Sequence, residues 1–99
     1  MNISKTEDTL KIVLNGEIDH HTAKGMREAI DRRIMEDHPG VLMLDFTNVE
    51  FMDSSGLGLV IGRYRLMKEL SGRVEIVNAT ERIKNILKIA GAGKYVQIK

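Results

Sequence analysis

The residues that could do chemistry are concentrated in one short segment, FMDSSGLG, at positions 51–58. It places a carboxylate, two hydroxyls and two glycines between a Phe-Met pair and an apolar run. These residue types suit four tasks: capping a helix, cradling a phosphate, attacking an electrophile, or accepting a phosphoryl group. A second polar segment, GEIDHHT at 16–22, offers the carboxylate of Asp19 and the imidazoles of His20 and His21.

The simplest interpretation of DSSG is a helix N-cap. The short oxygens of Asp53 and Ser54 can satisfy the free backbone N–H groups of a helix start, and Gly56 eases the turn. This role is compatible with each of the other three.

A phosphate cradle is the second interpretation. Gly56, Gly58 and Gly62 follow a predicted strand and open a predicted helix, loosely as in a dinucleotide fingerprint. The spacing is one residue too long, and Asp53 would bring negative charge to the pyrophosphate. Glycines on a helix also allow close packing against a sheet. A small nucleotide-binding domain that uses the Gly56/Gly58 helix start stays open as an alternative.

A serine nucleophile is the third interpretation, with His20 or His21 of the neighbouring segment as its base. The nucleophile-elbow motif requires a glycine two residues before the serine, and Met52 stands there relative to Ser54. The adjacent histidines are a poor metal pair, because neighbouring residues do not share a helix face. A hydrolytic domain is therefore the weaker form of the alternative.

The fourth interpretation makes a serine the substrate. A helix N-terminus tolerates an added phosphate, because its N–H groups and positive dipole end favour an anion. The modification adds about −1.5 to −2 charges at neutral pH. Placed beside Asp53 and near Asp19, that charge would expel a partner that docks through apolar contacts or its own carboxylates. The domain would then be a two-state binding switch without a catalytic group.

The apolar pattern predicts the order β-β-α-β-α-β-α-β, and hence an α/β fold with a mixed, mostly parallel sheet of four to five strands and helices packed on it. The predicted strands lie near residues 2–5, 10–14, 41–44, 74–77 and 95–98. The predicted helices cover about 22–35 and 57–70, and the apolar stripe of a third helix is formed by Ile83, Ile86, Leu87 and Ala90. The first strand is expected to join antiparallel.

Several local features are predicted around these elements. Asn15-Gly16 should bend the chain and end the second strand, and a short loop should precede FMDSSGLG. Asp19 or Thr22 should cap the first helix, and either Asn78 with Glu81 or Thr80 the third. The segments 16–22 and 48–56 leave strands of the same sense, so both should open on the carboxyl edge of the sheet, where function concentrates.

Length and composition bound the function. The 99 residues favour one domain, 1–99, and 42% apolar with 29% charged residues is typical of a folded globular chain. The absence of cysteine excludes disulfides, thiolate zinc sites and thiol catalysis. A net charge of +1 with interleaved signs argues against a nucleic-acid partner. No membrane-length apolar run or signal-peptide pattern is present, so a cytoplasmic location without membrane contact is expected.

Three segments also carry a family resemblance: GEIDHHTA at 16–23, FMDSSGLGLVIGRY at 51–64 and NATERIKNILKIAGAGKYV at 78–96. Together they resemble a STAS domain, and more narrowly the anti-sigma factor antagonists, or anti-anti-sigma factors. The resemblance covers nearly the whole chain in order and spacing. The His-His pair and GRY favour the sporulation branch over the stress-response branch. Some members continue into another helix where this chain ends at Lys99.

The resemblance implies partner switching. The unphosphorylated form of such an antagonist binds an anti-sigma factor that is also a serine kinase, and this binding releases the sigma factor. The kinase phosphorylates the first Ser or Thr after the motif Asp, and a PP2C-type phosphatase removes the phosphate. The kinase brings ATP, magnesium and the catalytic base, so the resemblance implies no cofactor, metal or catalytic residue on this chain. A third alternative is a STAS domain that works as a scaffold in a larger complex and is never phosphorylated.

Carried over residue by residue, the resemblance makes Ser54 the phosphoacceptor and Asp19 the partner-contact aspartate. The remaining partner-binding residues that it implies are His20, Asp53, Ser55, Gly56 and Leu57.

Overall fold

A five-stranded sheet in the order β1-β2-β3-β4-β5 forms the frame of the molecule in the computed structural model, which describes residues 1–99. Its elements, in chain order, are β1 Asn2–Thr6, β2 Thr9–Ile18, α1 His20–Asp37, β3 Val41–Met52, α2 Ser54–Glu69, β4 Arg73–Val77, α3 Glu81–Ile89, a 3-10 turn Ala92–Lys94 and β5 Gln97–Ile98.

The sheet topology follows from the connections. β1 pairs antiparallel with β2 through a tight turn, whereas β2, β3, β4 and β5 pair in parallel. Strand order equals chain order, and parallel crossovers are right-handed, so the three helices must lie on the same face of the sheet. The predicted mixed, mostly parallel α/β fold is confirmed.

One continuous apolar core lies between that face and the helices. Alternate residues of the strands, such as Ile12 and Leu44, are fully buried against Ile34 of α1 and Val60 of α2. These side chains exclude water completely, and each such apolar side chain stabilises the fold by about 1.5–3 kcal/mol relative to exposure.

The opposite face of the sheet carries charged pairs. Asp45 forms a 3.6 Å ion pair with Lys11, and Glu75 pairs with Arg73 at 3.3 Å and Lys99 at 3.1 Å. Burial alone would raise the pKa of Glu75, but the hydrogen bonds and charges of Lys99 and Arg73 outweigh it and the pKa is lowered. This face is therefore closed by salt bridges rather than by a second layer of helices.

Two strands run further than the sequence predicts. Asn15-Gly16 does not end β2: Gly16 adopts a φ of +78°, pairs with Val49, and the strand continues to Ile18. The predicted short loop before FMDSSGLG is also wrong, because β3 continues to Met52. Its pairing with β2 shifts by one residue at each of two irregularities, so β3 contains two more residues than the matching stretch of β2.

The helix starts differ from the predicted ones as well. α1 begins at His20 and α2 at Ser54, so both helices begin directly after an aspartate. Thr80 caps α3 through a 3.2 Å hydrogen bond from the Ile83 N–H. Asn78 instead has a φ of +60° and donates its amide to Asp45. None of the helices has the length and apolar character that crossing a membrane requires.

Candidate functional site

Asp19 fixes the start of α1. Its Oδ1 accepts hydrogen bonds from the N–H groups of His21 at 2.9 Å and Thr22 at 3.0 Å. The Thr22 hydroxyl returns the contact by accepting the Asp19 N–H at 2.9 Å, which completes a reciprocal capping box. The hydrogen bond from the Thr22 backbone is the largest cause that lowers the pKa of Asp19, so the residue is a carboxylate at neutral pH.

Asp53 caps the start of α2 with its side chain, without a reciprocal capping box. Its Oδ1 accepts the Ser55 N–H at 2.7 Å, and its carbonyl accepts the Gly56 N–H at 3.0 Å. Asp53 itself keeps an extended backbone, with φ of −100° and ψ of −165°, as N-cap residues do. Ser54 is thereby the first helical residue, and its side chain is exposed.

The two helix starts are held side by side by the sheet. Ile18 and Met52 are the last paired residues of β2 and β3, and the Asp53 N–H donates to the Ile18 carbonyl at 3.1 Å. Asp19 and Asp53 each follow one member of that pair. The two segments singled out in the sequence therefore meet at the carboxyl edge, as expected for neighbouring parallel strands.

The predicted site residues differ in accessibility. Ser54 and His20 are exposed, whereas Asp19, Asp53, Ser55 and Leu57 are half-buried. Gly56 is buried: a Cβ there would overlap the side chain of Met52 and lie 3.3 Å from Cγ2 of Ile18. Gly56 thus allows α2 to pack on the ends of both strands, and it is not a surface that a partner can reach.

This burial weakens the nucleotide alternative. In a dinucleotide fingerprint the glycines bring the backbone close to the pyrophosphate. Here Gly56 faces the core, and only Gly58 and Gly62 have open space where a Cβ would stand. The hydrolase alternative gains no support from the hydrogen bonds, since neither serine hydroxyl at the start of α2 is bonded to a histidine. The rings of His20 and His21 instead lie edge to face, with their centroids 6.1 Å apart.

A groove between α1 and α2 is the feature that the sequence interpretation missed. It opens beside Ser55 and encloses about 510 Å³. Its lining residues are His20, Ala23, Lys24 and Arg27 of α1 and Ser55, Gly58, Leu59, Gly62 and Arg63 of α2. The signal was present in the spacing, because residues three and four apart share a helix face. Predicting the groove, however, would have required knowing that these faces of α1 and α2 lie opposite each other.

Arg63 joins the two helices at the far end of that groove. Its side chain is only 7% exposed, and Nε lies 2.7 Å from Oδ1 of Asp31 on α1. The N–H is not aligned for a hydrogen bond, so this contact is an ion pair, and Nη1 donates to the Leu59 carbonyl at 3.3 Å. Burial lowers the pKa of the Arg63 guanidinium, Asp31 opposes that change, and the charge of Arg27 adds to it.

Comparison with known proteins identifies the family. The STAS domain family model matches residues 1–99, and the chain belongs to that family. An anti-sigma F factor antagonist of Paenibacillus polymyxa is 34% identical, with 90% of this chain and 76% of the relative aligned. An anti-sigma-B factor antagonist of Listeria monocytogenes is 32% identical, with 100% of this chain and 90% of the relative covered. The resemblance to anti-sigma factor antagonists is confirmed.

Solved structures agree. SpoIIAA, an anti-sigma factor antagonist, in its unphosphorylated form is 30% identical and superposes with a TM-score of 0.85, over 99% of this chain and 86% of the other. The Bacillus cell fate determinant SpoIIAA in the phosphorylated form is also 30% identical. It superposes with a TM-score of 0.78 over 99% of this chain and 89% of the other. The fold and spacing of the chain are thus those of proteins studied in both states of a phosphorylation cycle.

Proposed function

We propose that this protein is an anti-sigma factor antagonist controlled by phosphorylation of Ser54. In its unphosphorylated form it binds an anti-sigma factor that is also a serine kinase, and the sigma factor is released. Phosphorylation ends the binding, and a PP2C-type phosphatase restores it. The observation that carries the proposal is the position of Ser54: exposed, first in α2 and directly after the capping Asp53, in a chain of the STAS family.

The position suits a phosphate physically. The first N–H groups of a helix have no intrahelical acceptor and lie at the positive end of the dipole, so an anion there is favoured. No side chain within the first turn of α2 is acidic, and the one adjacent carboxylate is that of Asp53 at the cap. The fold therefore accommodates the modification while the surface charge changes.

The charge change acts on a small docking surface. The proposed docking surface comprises Asp53, Ser55 and Leu57 next to Ser54 in the chain, and Asp19 and His20 after the neighbouring strand, while the buried Gly56 packs against Met52. Asp19 and Asp53 already contribute two carboxylates at neighbouring strand ends. A phosphate adds about −1.5 to −2 charges to them, which repels a partner that presents carboxylates or a desolvated apolar patch.

The chain acts as a binding module in this scheme, as one domain over residues 1–99 in the cytoplasm. The chemistry of phosphoryl transfer belongs to the partner kinase with its ATP and magnesium. The antagonist contributes the acceptor hydroxyl and the surface by which it is recognised.

The test begins with a pull-down from an extract of the source organism, with ADP or ATP present and mass spectrometry as readout. We expect a protein with a serine kinase domain to be retained with ADP. Incubation of the purified pair with ATP should add one phosphate to the wild-type chain and none to Ser54→Ala, while Ser55→Ala serves as the matched control and is still modified. Phosphate on Ser55, or stable binding without any modification, would contradict the assignment of Ser54.

A catalytic function is tested on the same material. Turnover of an ester or a nucleotide by the isolated wild-type chain, lost in Ser54→Ala, would replace the binding switch with the hydrolytic alternative. A chain that binds its partner equally well before and after incubation with ATP would be a scaffold.

A further inference from the structure

The groove between α1 and α2 concentrates positive charge. Lys24, Arg27 and Arg63 line it together with the imidazole of His20, and none of its lining residues is acidic. The one carboxylate in contact with these cations is Asp31, which pairs with Arg63. The groove therefore holds two lysine or arginine charges without an ion-pair partner.

The far end of the groove holds one paired guanidinium beside an unpaired one. Arg63 is 6% exposed, and its Nε lacks an aligned acceptor although Asp31 is close by. Arg27 lies near enough to lower the pKa of Arg63 further, but of these two guanidinium groups only that of Arg63 has a carboxylate partner. An additional anion at this position would relieve their repulsion.

The floor of the groove suits a polypeptide. Gly58 and Gly62 leave open space where a side chain would stand, and Ala23 faces them from α1. The lining residues of α1 extend from His20 to Arg27, a separation of seven residues along the helix, which spans about 10 Å. An extended segment of about three residues has that length, and small side chains allow a backbone to approach closely.

One end of the groove is lined by Ser55, the residue next to the proposed phosphoacceptor Ser54. Ser54 and Gly58 are four residues apart and share a helix face, and Gly58 lines the groove. A group added to Ser54 therefore stands at the mouth of the groove.

We propose that the groove binds an acidic segment of the anti-sigma factor, with carboxylates placed against Lys24, Arg27 and Arg63. This inference rests on the proposed function and extends it. A phosphate on Ser54 then acts in two ways, since it repels the incoming carboxylates and attracts the nearest cations of the groove to itself. Partner and phosphate compete for the same positive charge.

The experiment measures the affinity of the purified anti-sigma factor, identified in the pull-down, for a groove variant and a charge-matched control. The groove variant is Lys24→Glu with Arg27→Glu. The control is Arg65→Glu with Lys68→Glu, an identical charge change at exposed positions of α2 outside the groove. We expect the groove variant to bind about tenfold more weakly or worse, and the control to stay within about twofold of wild type. The wild-type affinity should also fall more steeply with salt than that of the groove variant.

A second variant tests the open space of the groove separately from its charge. Gly62→Met fills the groove without changing any charge, and no neighbouring atom lies within 4 Å of the new Cβ. Since methionine is a far better helix former than glycine, the fold should be kept, as circular dichroism can verify. We expect this variant to lose affinity for the anti-sigma factor as well.

Four results would overturn the inference. The groove variant and Gly62→Met could bind as wild type does, or the control could lose as much affinity as the groove variant. The isolated wild-type chain could also bind Mg-ATP in calorimetry, or it could self-associate in sedimentation. Either result would count against the inference if the groove variant lost that property. The groove would then belong to a nucleotide or to a second copy. If wild type itself fails to bind any anti-sigma factor, the proposed function fails first.

Discussion

The Asp53 N–H donates a 3.1 Å hydrogen bond to the carbonyl of Ile18, the residue immediately before Asp19. This single bond joins the end of β2 to the turn into α2, and it fixes the two capping aspartates relative to each other. The acceptor serine and the aspartate proposed to contact the partner therefore belong to one rigid edge rather than to two independent loops.

Two glycines of α2 should respond oppositely to a methyl group. Gly56→Ala would drive its Cβ into Met52, so we expect a loss of about 1–3 kcal/mol in the free energy of unfolding. Gly58→Ala meets no atom within 4 Å and should gain about 0.5–1 kcal/mol, because alanine loses less backbone entropy in a helix. Urea denaturation of both variants measures the difference, and equal effects would argue against the packing role of Gly56.

The cap at Asp19 should depend on pH. Its folded-state pKa lies below the ordinary value of 3.8, so its charged form stabilises the native state above the unfolded pKa. That contribution is lost as pH falls through the folded pKa. Asp19→Asn keeps a capping acceptor but not the charge. We expect wild type to exceed this variant in stability by a constant amount from neutral pH to about pH 5, with the difference shrinking below about pH 4. A difference independent of pH would show that the charge contributes nothing.

Removing Asp31 should cost more than removing Arg63. Asp31→Ala leaves the buried guanidinium without its carboxylate, and we expect a destabilisation of about 1–3 kcal/mol, because Asp31 itself is 33% exposed. Arg63→Met replaces the charge by an apolar side chain of similar length and should stay within about 1 kcal/mol of wild type. Chemical denaturation of both single variants and the double variant checks this order. The double variant should match Arg63→Met; additive losses would mean that the two residues act independently.

A negative charge at position 54 should separate folding from binding. Ser54→Asp places a carboxylate at the dipole-favoured first turn of α2, so we expect the free energy of unfolding to change by less than about 0.5 kcal/mol. Affinity for the anti-sigma factor should fall strongly in calorimetry. Ser54→Asn is the control, because asparagine has nearly the same shape as aspartate but no charge. This variant should keep most of the affinity. A Ser54→Asp chain unfolded by circular dichroism would contradict the tolerance of this helix end.

The order and pairing of the elements could be predicted because periodicity is a local signal. Leu10, Ile12 and Leu14 alternate in the sequence, and all three are buried in β2, as is Ile18 further along. The far half of β3 could not be predicted, because its alternation fails. Thr47 and Asn48 are both exposed, as are Glu50 and Phe51, so the segment resembles a loop although it is paired with β2.

Part of the candidate site could also be predicted, because its signal is local in the sequence. Asp53 before Ser54 is a sequence-local capping signal, and the structure places the helix start there. The sequence prediction nevertheless began α2 at Leu57, since Ser-Ser-Gly is a poor helix former by propensity. The groove depends on which faces of α1 and α2 oppose each other, and Lys24 and Arg63 are 39 positions apart in the chain. Only the tertiary structure brings them together.

The two irregularities in β3 restrict where this chain can tolerate a change in length. The inward residues of β2 recur at every second position up to Ile18, whereas those of β3 step by three from Phe46 to Val49 and again to Met52. Side chains alternate with a period of two, so two single-residue insertions cancel and Met52 returns to the core. One insertion alone would turn Met52 to water and displace Asp53 from Ile18. A single-residue insertion or deletion between Phe46 and Met52 is therefore expected to disturb both the core and the position of Asp53.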